Sequence, residues 1–168
     1  MRFRDRHVEA TIAAYVRGGL SDLGWVSEPI NFGATPLTWV DEVPTENSDV
    51  QVAPNTVAMT FGDIGEEGLE QLGGGLYSLN IPVFFDVFGD NGTIARCICS
   101  DILDLLKRDK VIPTLDWTTG TGDQTAETIL FDVVMGPERP PASEMASSGD
   151  FRKHWRVVKA TAVVTYQD

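Results

Sequence analysis

The residues of this chain that could do chemistry are few and poorly spaced for it. The two histidines, His7 and His154, stand near opposite ends of the sequence. A Ser-His-Asp or Cys-His relay needs a histidine held between a nucleophile and an orienting group, and neither histidine has a local signature of that kind. Cys97 and Cys99 are two residues apart in a segment of helical periodicity. They therefore point to nearly opposite sides and can neither pair nor share a metal. Buried free thiols in a reducing compartment are the expectation. Carboxylates gather twice. Asp101 and Asp104, at i and i+3, share part of one helix face. Asp86, Asp90 and Asn91 crowd a strand-to-helix turn, where a divalent cation would find oxygen ligands. Neither group has calcium-loop spacing, and Asp90 or Asn91 also serves as a natural helix cap. Gly73-Gly74-Gly75 has no strand before it and no Lys-Ser/Thr after it, so it reads as a flexible turn rather than a phosphate cradle. The chain reads as a non-enzyme without metal or cofactor.

The elements that must position these residues follow from periodicity. A chain of 168 residues, 42% hydrophobic and 23% charged, suits one folded domain with extended loops. No run reaches membrane-spanning length. The opening MRFRDRHVEATIAAYV carries Asp5 and Glu9 among spaced apolar residues, so it reads as a helix and not a signal peptide, with synthesis in the cytoplasm. Val8, Ile12, Tyr15, Val16 and Leu20 place that helix over 4–20, with Gly18-Gly19 marking its frayed end. Short strands are expected at TPLTWV (35–40) and TVAMTF (56–61), and a longer one at LYSLNIPVFFDVFG (76–89). In the long strand Leu79, Ile81, Val83, Phe85 and Val87 share one face. Pro82, Phe84, Asp86 and Phe88 share the other, which is too apolar to be simply wet, and Pro82 calls for an edge or a bulge. A second helix follows, with Ile94, Ile98, Ile102, Leu105 and Leu106 inward and Arg96, Ser100, Asp104 and Lys107 outward. It should stop near Asp109. Residues 128–135 and 151–167 read as antiparallel strands. The fold class is therefore α+β: a mostly antiparallel sheet of four to five strands with two helices packed on one face.

Charge is unevenly spread. Between Gly18 and Ala95 there is no Lys, Arg or His, while twelve acids there equal the whole formal net charge of −12. Such a surface repels nucleic acid, although solubility alone also accounts for it. Four connections, at about 41–55, 62–75, 116–127 and 136–150, exceed the roughly four to six residues that joining neighbours needs. They are candidate intersubunit arms, carrying Asp41, Glu42, Glu46 and Asp49, then Trp117, then Arg139 and Glu144. Solvated loops without a partner are the plain alternative. Phe84 and Phe88 form either an exposed aromatic patch that marks an interface or a face packed under a loop or helix.

The segment Leu76–Arg108 combines a strand (IPVFFDVFG), a short turn (DNGT) and a helix (IARCICSDILDLLKR). It resembles tail terminator and related tail-to-head joining proteins of long-tailed, siphovirus-type bacteriophages. The opening RDRHVEATIAAYVRGGL is similar to the start of actinobacteriophage tail terminators. The resemblance is one of pattern and brings no catalytic signature. It implies a structural protein of the virion, placed as a homo-hexameric ring at the head-proximal end of the tail. Such a ring ends polymerisation of the major tail tube protein and offers a joining surface to a head-completion or connector protein. DNA passes through its lumen without specific binding, and no membrane is involved. Another head–tail connector or tail-completion protein, a monomeric acidic binding module and a small enzyme with an unfamiliar site stay open. Oligomeric state separates these readings, because a ring needs head-to-tail interfaces that close.

Overall fold

In a computed structural model the chain is described over residues 2–26, 35–40, 43, 55–63, 76–118, 122–140 and 154–167. Two helices, α1 (Arg2–Asp22) and α2 (Gly92–Arg108), accompany eight strands among these residues. The strands are β1 (Trp25–Val26), β2 (Thr35–Pro36), β3 (Thr38–Val40), β4 (Thr56–Phe61), β5 (Leu76–Phe88), β6 (Val111–Asp116), β7 (Asp123–Glu138) and β8 (Trp155–Gln167). No helix among the described residues is long and apolar enough to cross a membrane.

The helices form where their apolar stripes require. On α1, Val8, Ile12, Val16 and Leu20 are at most 1% exposed. Gly18-Gly19 does not fray this helix, which continues to Asp22. A Cβ on Gly19 would stand 2.5 Å from Cδ2 of Leu105, so glycine here lets α1 lie close on α2. On α2 the Asn91 side chain accepts from the amides of Thr93 and Ile94, both at 3.0 Å, and so closes the first turn. Lys107 and Arg108 favour the carbonyl end, where Asp109 is the cap. Ile98, Cys99, Ile102, Leu105 and Leu106 are buried. Each large aliphatic side chain so removed from water contributes about 1.5–3 kcal/mol.

The main sheet has six strands in the order β3-β4-β5-β8-β7-β6. β3 runs parallel to β4 and the other neighbours are antiparallel, so the sheet is mixed. β1 and β2 pair separately and in parallel. The expected four to five strands are thus too few. TPLTWV divides between β2 and β3, and β6 follows α2 where the sequence shows only a brief apolar tail broken by Pro113. The expected loop 116–127 is largely a hairpin, in which Asp116 pairs with Asp123. Its polar residues belong to strands near a sheet edge, where one wet face leaves little hydrophobic signal.

β8, last in sequence, lies between β5 and β7. Its register with β5 runs unbroken from Leu76 opposite Gln167 to Phe88 opposite Trp155. The predicted face of β5, Leu79 to Val87, joins Val158, Ala160, Ala162 and Val164 of β8, Ile129 and Phe131 of β7, and both helical stripes in one core. Both helices therefore cover the same side of the sheet. Pro82 meets its requirement within this interior strand. Its carbonyl accepts from the Gly62 amide at 2.9 Å, just past the end of β4. In an antiparallel strand the N–H and C=O of one residue face the same neighbour, so the missing donor also faces past β4 and spares the β8 ladder.

Candidate interaction surface

The residues singled out for chemistry go separate ways. Nδ1 of His7 accepts from the Trp117 amide at 3.0 Å, while Nε2 lies 3.6 Å from the Asp116 carboxylate. Hydrogen bonds from Thr118, helped by His7, hold the Asp116 carboxyl below its ordinary range. Thr11 completes this group: its hydroxyl donates to the His7 carbonyl and accepts from the Leu115 amide and the Trp117 indole. The cluster clamps α1 to the β6–β7 hairpin, with Nδ1 of His7 taken by a backbone amide and the Thr11 proton by a backbone carbonyl. His154 lies instead beside Gly92, at the start of α2.

The carboxylate groupings are dispersed too. Asp101 accepts from the Trp25 indole at 2.6 Å, whereas Asp104 is exposed. Asp86 is buried and accepts from the Trp155 indole at 2.7 Å. Asp90 is exposed, and Asn91 caps α2. Among the described residues no three His, Cys, Asp or Glu side chains are grouped to hold a metal ion. The cysteines point apart as their spacing requires, but only Cys99 is buried; Cys97 is exposed, which corrects the expectation of two buried thiols. Burial, chiefly, pushes the Cys99 thiol up to about 12.

Of the residues expected at an interface, Asp41, Glu42, Glu46, Asp49 and Glu144 lie outside the described residues. Trp117 is not on a free arm. It is half-buried, tied to His7 and Thr11, and its ring lies against Gly122, where a Cβ would come within 3.1 Å. The exposed patch of Phe84 and Phe88 does not form. Phe88 is 1% exposed and stacks on Trp155 with ring centroids 5.4 Å apart, in a small outer cluster with Ala58 and Val157. The register imposes this, because Phe88 and Trp155 are direct cross-strand partners. Phe84 is half-buried and lies close to Gly62. Arg139 is exposed just beyond β7.

The exposed apolar surface lies elsewhere, on β6 and β7. Val111, Leu130, Val133 and Met135 are 56%, 39%, 55% and 47% exposed. Register aligns Val111, Leu130 and Val163 across three strands on the face away from the helices. A visible hint was TILFDVVM, which is apolar at both parities and so cannot have a simply wet face. Beyond Leu130 the ladder is irregular, with register shifts around Met135. Val133 takes φ +45°, which is strained for a β-branched residue. Around the edge of β6, a groove of about 470 Å³ is bordered by Ala14, Tyr15, Asp109, Val111, Pro113 and Leu115.

β6 is a sheet edge whose outward donors are taken past its first residue. Lys110 and Ile112 turn their backbone groups to β7, so those of residues 111, 113, 115 and 117 face away. Pro113 has no N–H, the Leu115 amide is held by Thr11, and the Trp117 amide by His7. Such blocking hinders strand addition along this part of the edge. The surface can therefore meet a partner through side chains without templating a further strand. No protein-family model matches the chain, and no curated protein matches it either.

Proposed function

We propose that the chain is a structural subunit that assembles with itself, and that it serves as the tail terminator of a long-tailed bacteriophage. The observation that carries the assembly reading is the apolar surface of Val111, Leu130, Val133 and Met135 beside an edge capped by α1. Exposed apolar residues grouped on one face favour a partner. Blocking along residues 113–117 of that edge disfavours open-ended strand addition. The terminator role rests on the resemblance of Leu76–Arg108, the stretch that folds as β5, the Asn91-capped turn and α2.

In this reading, copies close into a hexameric ring on the head-proximal end of the tail tube. One rim ends growth of the major tail tube protein and the other receives a head-completion or connector protein. The acidic stretch from Gly18 to Ala95 lets DNA slide through rather than stick. The chain is made in the host cytoplasm, ends in the virion and does no catalysis. A neighbouring connector or tail-completion role draws on the same surface and differs in which protein is bound. The test is to add the purified chain to the polymerising tube protein encoded beside it, and to image the products by electron microscopy. Shortened tubes with a ring at one end are expected. Tubes of unchanged length with bare ends would overturn the terminator role.

A further inference from the structure

Three arginines converge where β7 and β8 meet the first turns of α2. Arg156 lies on the helix side of β8, opposite Val87 of β5. Glu138 is opposite Val157, so the next residue, Arg139, falls opposite Arg156. Arg96 stands one turn before Cys99 on α2, and both lie near Arg156. Burial first, then Arg139 and more weakly Arg96, push the Arg156 guanidinium below its ordinary value.

Among the described residues this arrangement has no counter-charge. Arg156 is only 8% exposed and donates from Nη1 to the Trp155 carbonyl at 2.7 Å, which among the described residues leaves most of its five donors unused. Among the described residues none of the three arginines is in an ion pair, and Arg96 reaches only the Thr93 hydroxyl, at 3.5 Å. Like charges directly across a strand pair repel, and a buried guanidinium without an anion is costly. A carboxylate would relieve both, since arginine forks match it with paired hydrogen bonds. The α2 amides are not the attraction, because Asn91 already occupies those of Thr93 and Ile94.

We propose that Arg96, Arg139 and Arg156 form a carboxylate-binding site filled by acidic side chains from the Gly18–Ala95 stretch of a second copy of this chain. The occupant is chosen by charge. That stretch holds twelve acids and no base, while a net charge of −12 repels nucleic acid as a whole. Placement agrees. Asp63 is exposed just past the Phe61 end of β4, whereas Arg139 lies three strands across and level with Val57 near the other end, so the two sit at opposite corners of this part of the sheet. Acid and arginines set this far apart allow a head-to-tail contact, the type that closes rings.

The inference rests on the ring reading above, and the test separates the two. The double variant R96E/R139E changes two exposed side chains and sets carboxylates beside Arg156, so its circular dichroism should match wild type and its single subunit should melt no lower than the dissociated wild-type chain. Its light-scattering mass should fall from the ring to the single subunit. In parallel, Arg139→Lys chains, half of them isotopically heavy, are treated with a carbodiimide in the assembled state. Light–heavy cross-links from the introduced amine to acids between residues 22 and 90 are expected. A double variant that still forms the wild-type ring would overturn the arginine site while leaving the ring. Cross-links confined to single copies would overturn it as well. Wild type that is monomeric under every condition would remove the ring and the inference together. Inorganic phosphate that raises the melting temperature of such a monomer, but not of the double variant, would reassign the site to a free oxyanion.

Discussion

Replacing Thr11 by valine keeps the shape of the side chain and removes the group that holds β6 to α1. Thr11 is 2% exposed, and its hydroxyl accepts from the Leu115 amide at 3.0 Å and the Trp117 indole at 3.3 Å. Its own proton goes to the His7 carbonyl, an i−4 back-bond within the helix that adds little. Valine would leave two donors without an acceptor. A buried donor left unsatisfied costs about 1–3 kcal/mol, and half-buried Leu115 and Trp117 belong at the low end. The expected loss is therefore about 2–3 kcal/mol, large against the ~5–15 kcal/mol that holds a domain folded. At roughly 2–4 °C per kcal/mol, that is a fall of about 5–10 °C in melting temperature. Urea unfolding followed by tryptophan fluorescence reads the loss, and Thr11→Ser, which keeps the hydroxyl, should recover most of it. Freeing the Leu115 amide also reopens the β6 edge, so the valine variant should form more sedimentable aggregate as concentration rises. Stability within about 0.5 kcal/mol of wild type, with no added aggregation, would refute the clamp.

Three further outcomes follow from the packing and the titrating groups. Gly19→Ala should destabilise by about 1–2 kcal/mol because its Cβ must displace buried Leu105. Gly18→Ala, with nothing within 4 Å of the added atom, should instead stabilise by about 0.5–1 kcal/mol; chemical denaturation of both tests the opposite signs. With Ellman's reagent at pH 8, exposed Cys97 should react at once. Cys99, pushed up to about 12, holds roughly one thiolate in ten thousand at that pH and should react only on unfolding; two fast equivalents would contradict its burial. Burial and the hydrogen bond to Asp109 raise Tyr15 from 10.0 to about 12, so the folded chain holds this proton more tightly than the unfolded one. That contribution is present below pH 10 and lost as pH rises towards 12, as is the Cys99 contribution from 9.0 upward. Denaturation midpoints should fall over this range, less steeply in Tyr15→Phe; equal slopes would contradict the assignment.

What was legible in the sequence is what local periodicity determines. The stripe of Ile98, Ile102, Leu105 and Leu106, a cap at Asp90 or Asn91, the inward face of β5 and the limits of β4 can all be read without knowing any neighbour, and the structure gives the cap to Asn91. What was not legible depends on partners distant in the chain. Phe88 is buried because Trp155 pairs with it across β8. Gly19 reads as a helix breaker until Leu105 arrives beside it. β6 is short, carries Pro113 and relies on α1 for its outward hydrogen bonds, so it offers little alternation. The arginine cluster has no sequence signal at all, because Arg96, Arg139 and Arg156 meet only once β8 enters the sheet between β5 and β7.

Closed self-assembly is tested most directly by solution mass. Light scattering over a wide range of concentrations should be run at about 0.01 M and 0.15 M ionic strength, where charges are screened beyond roughly 30 Å and 8 Å respectively. Copies of a −12 chain repel at the lower salt, so assembly should strengthen at the higher one. The mass expected there is that of six 18.4 kDa chains, and it should stop growing at that value. Leu130→Glu, on the exposed apolar row, should lower it. A single 18.4 kDa chain at every concentration and salt, and still single when mixed with the tail tube protein, would contradict assembly.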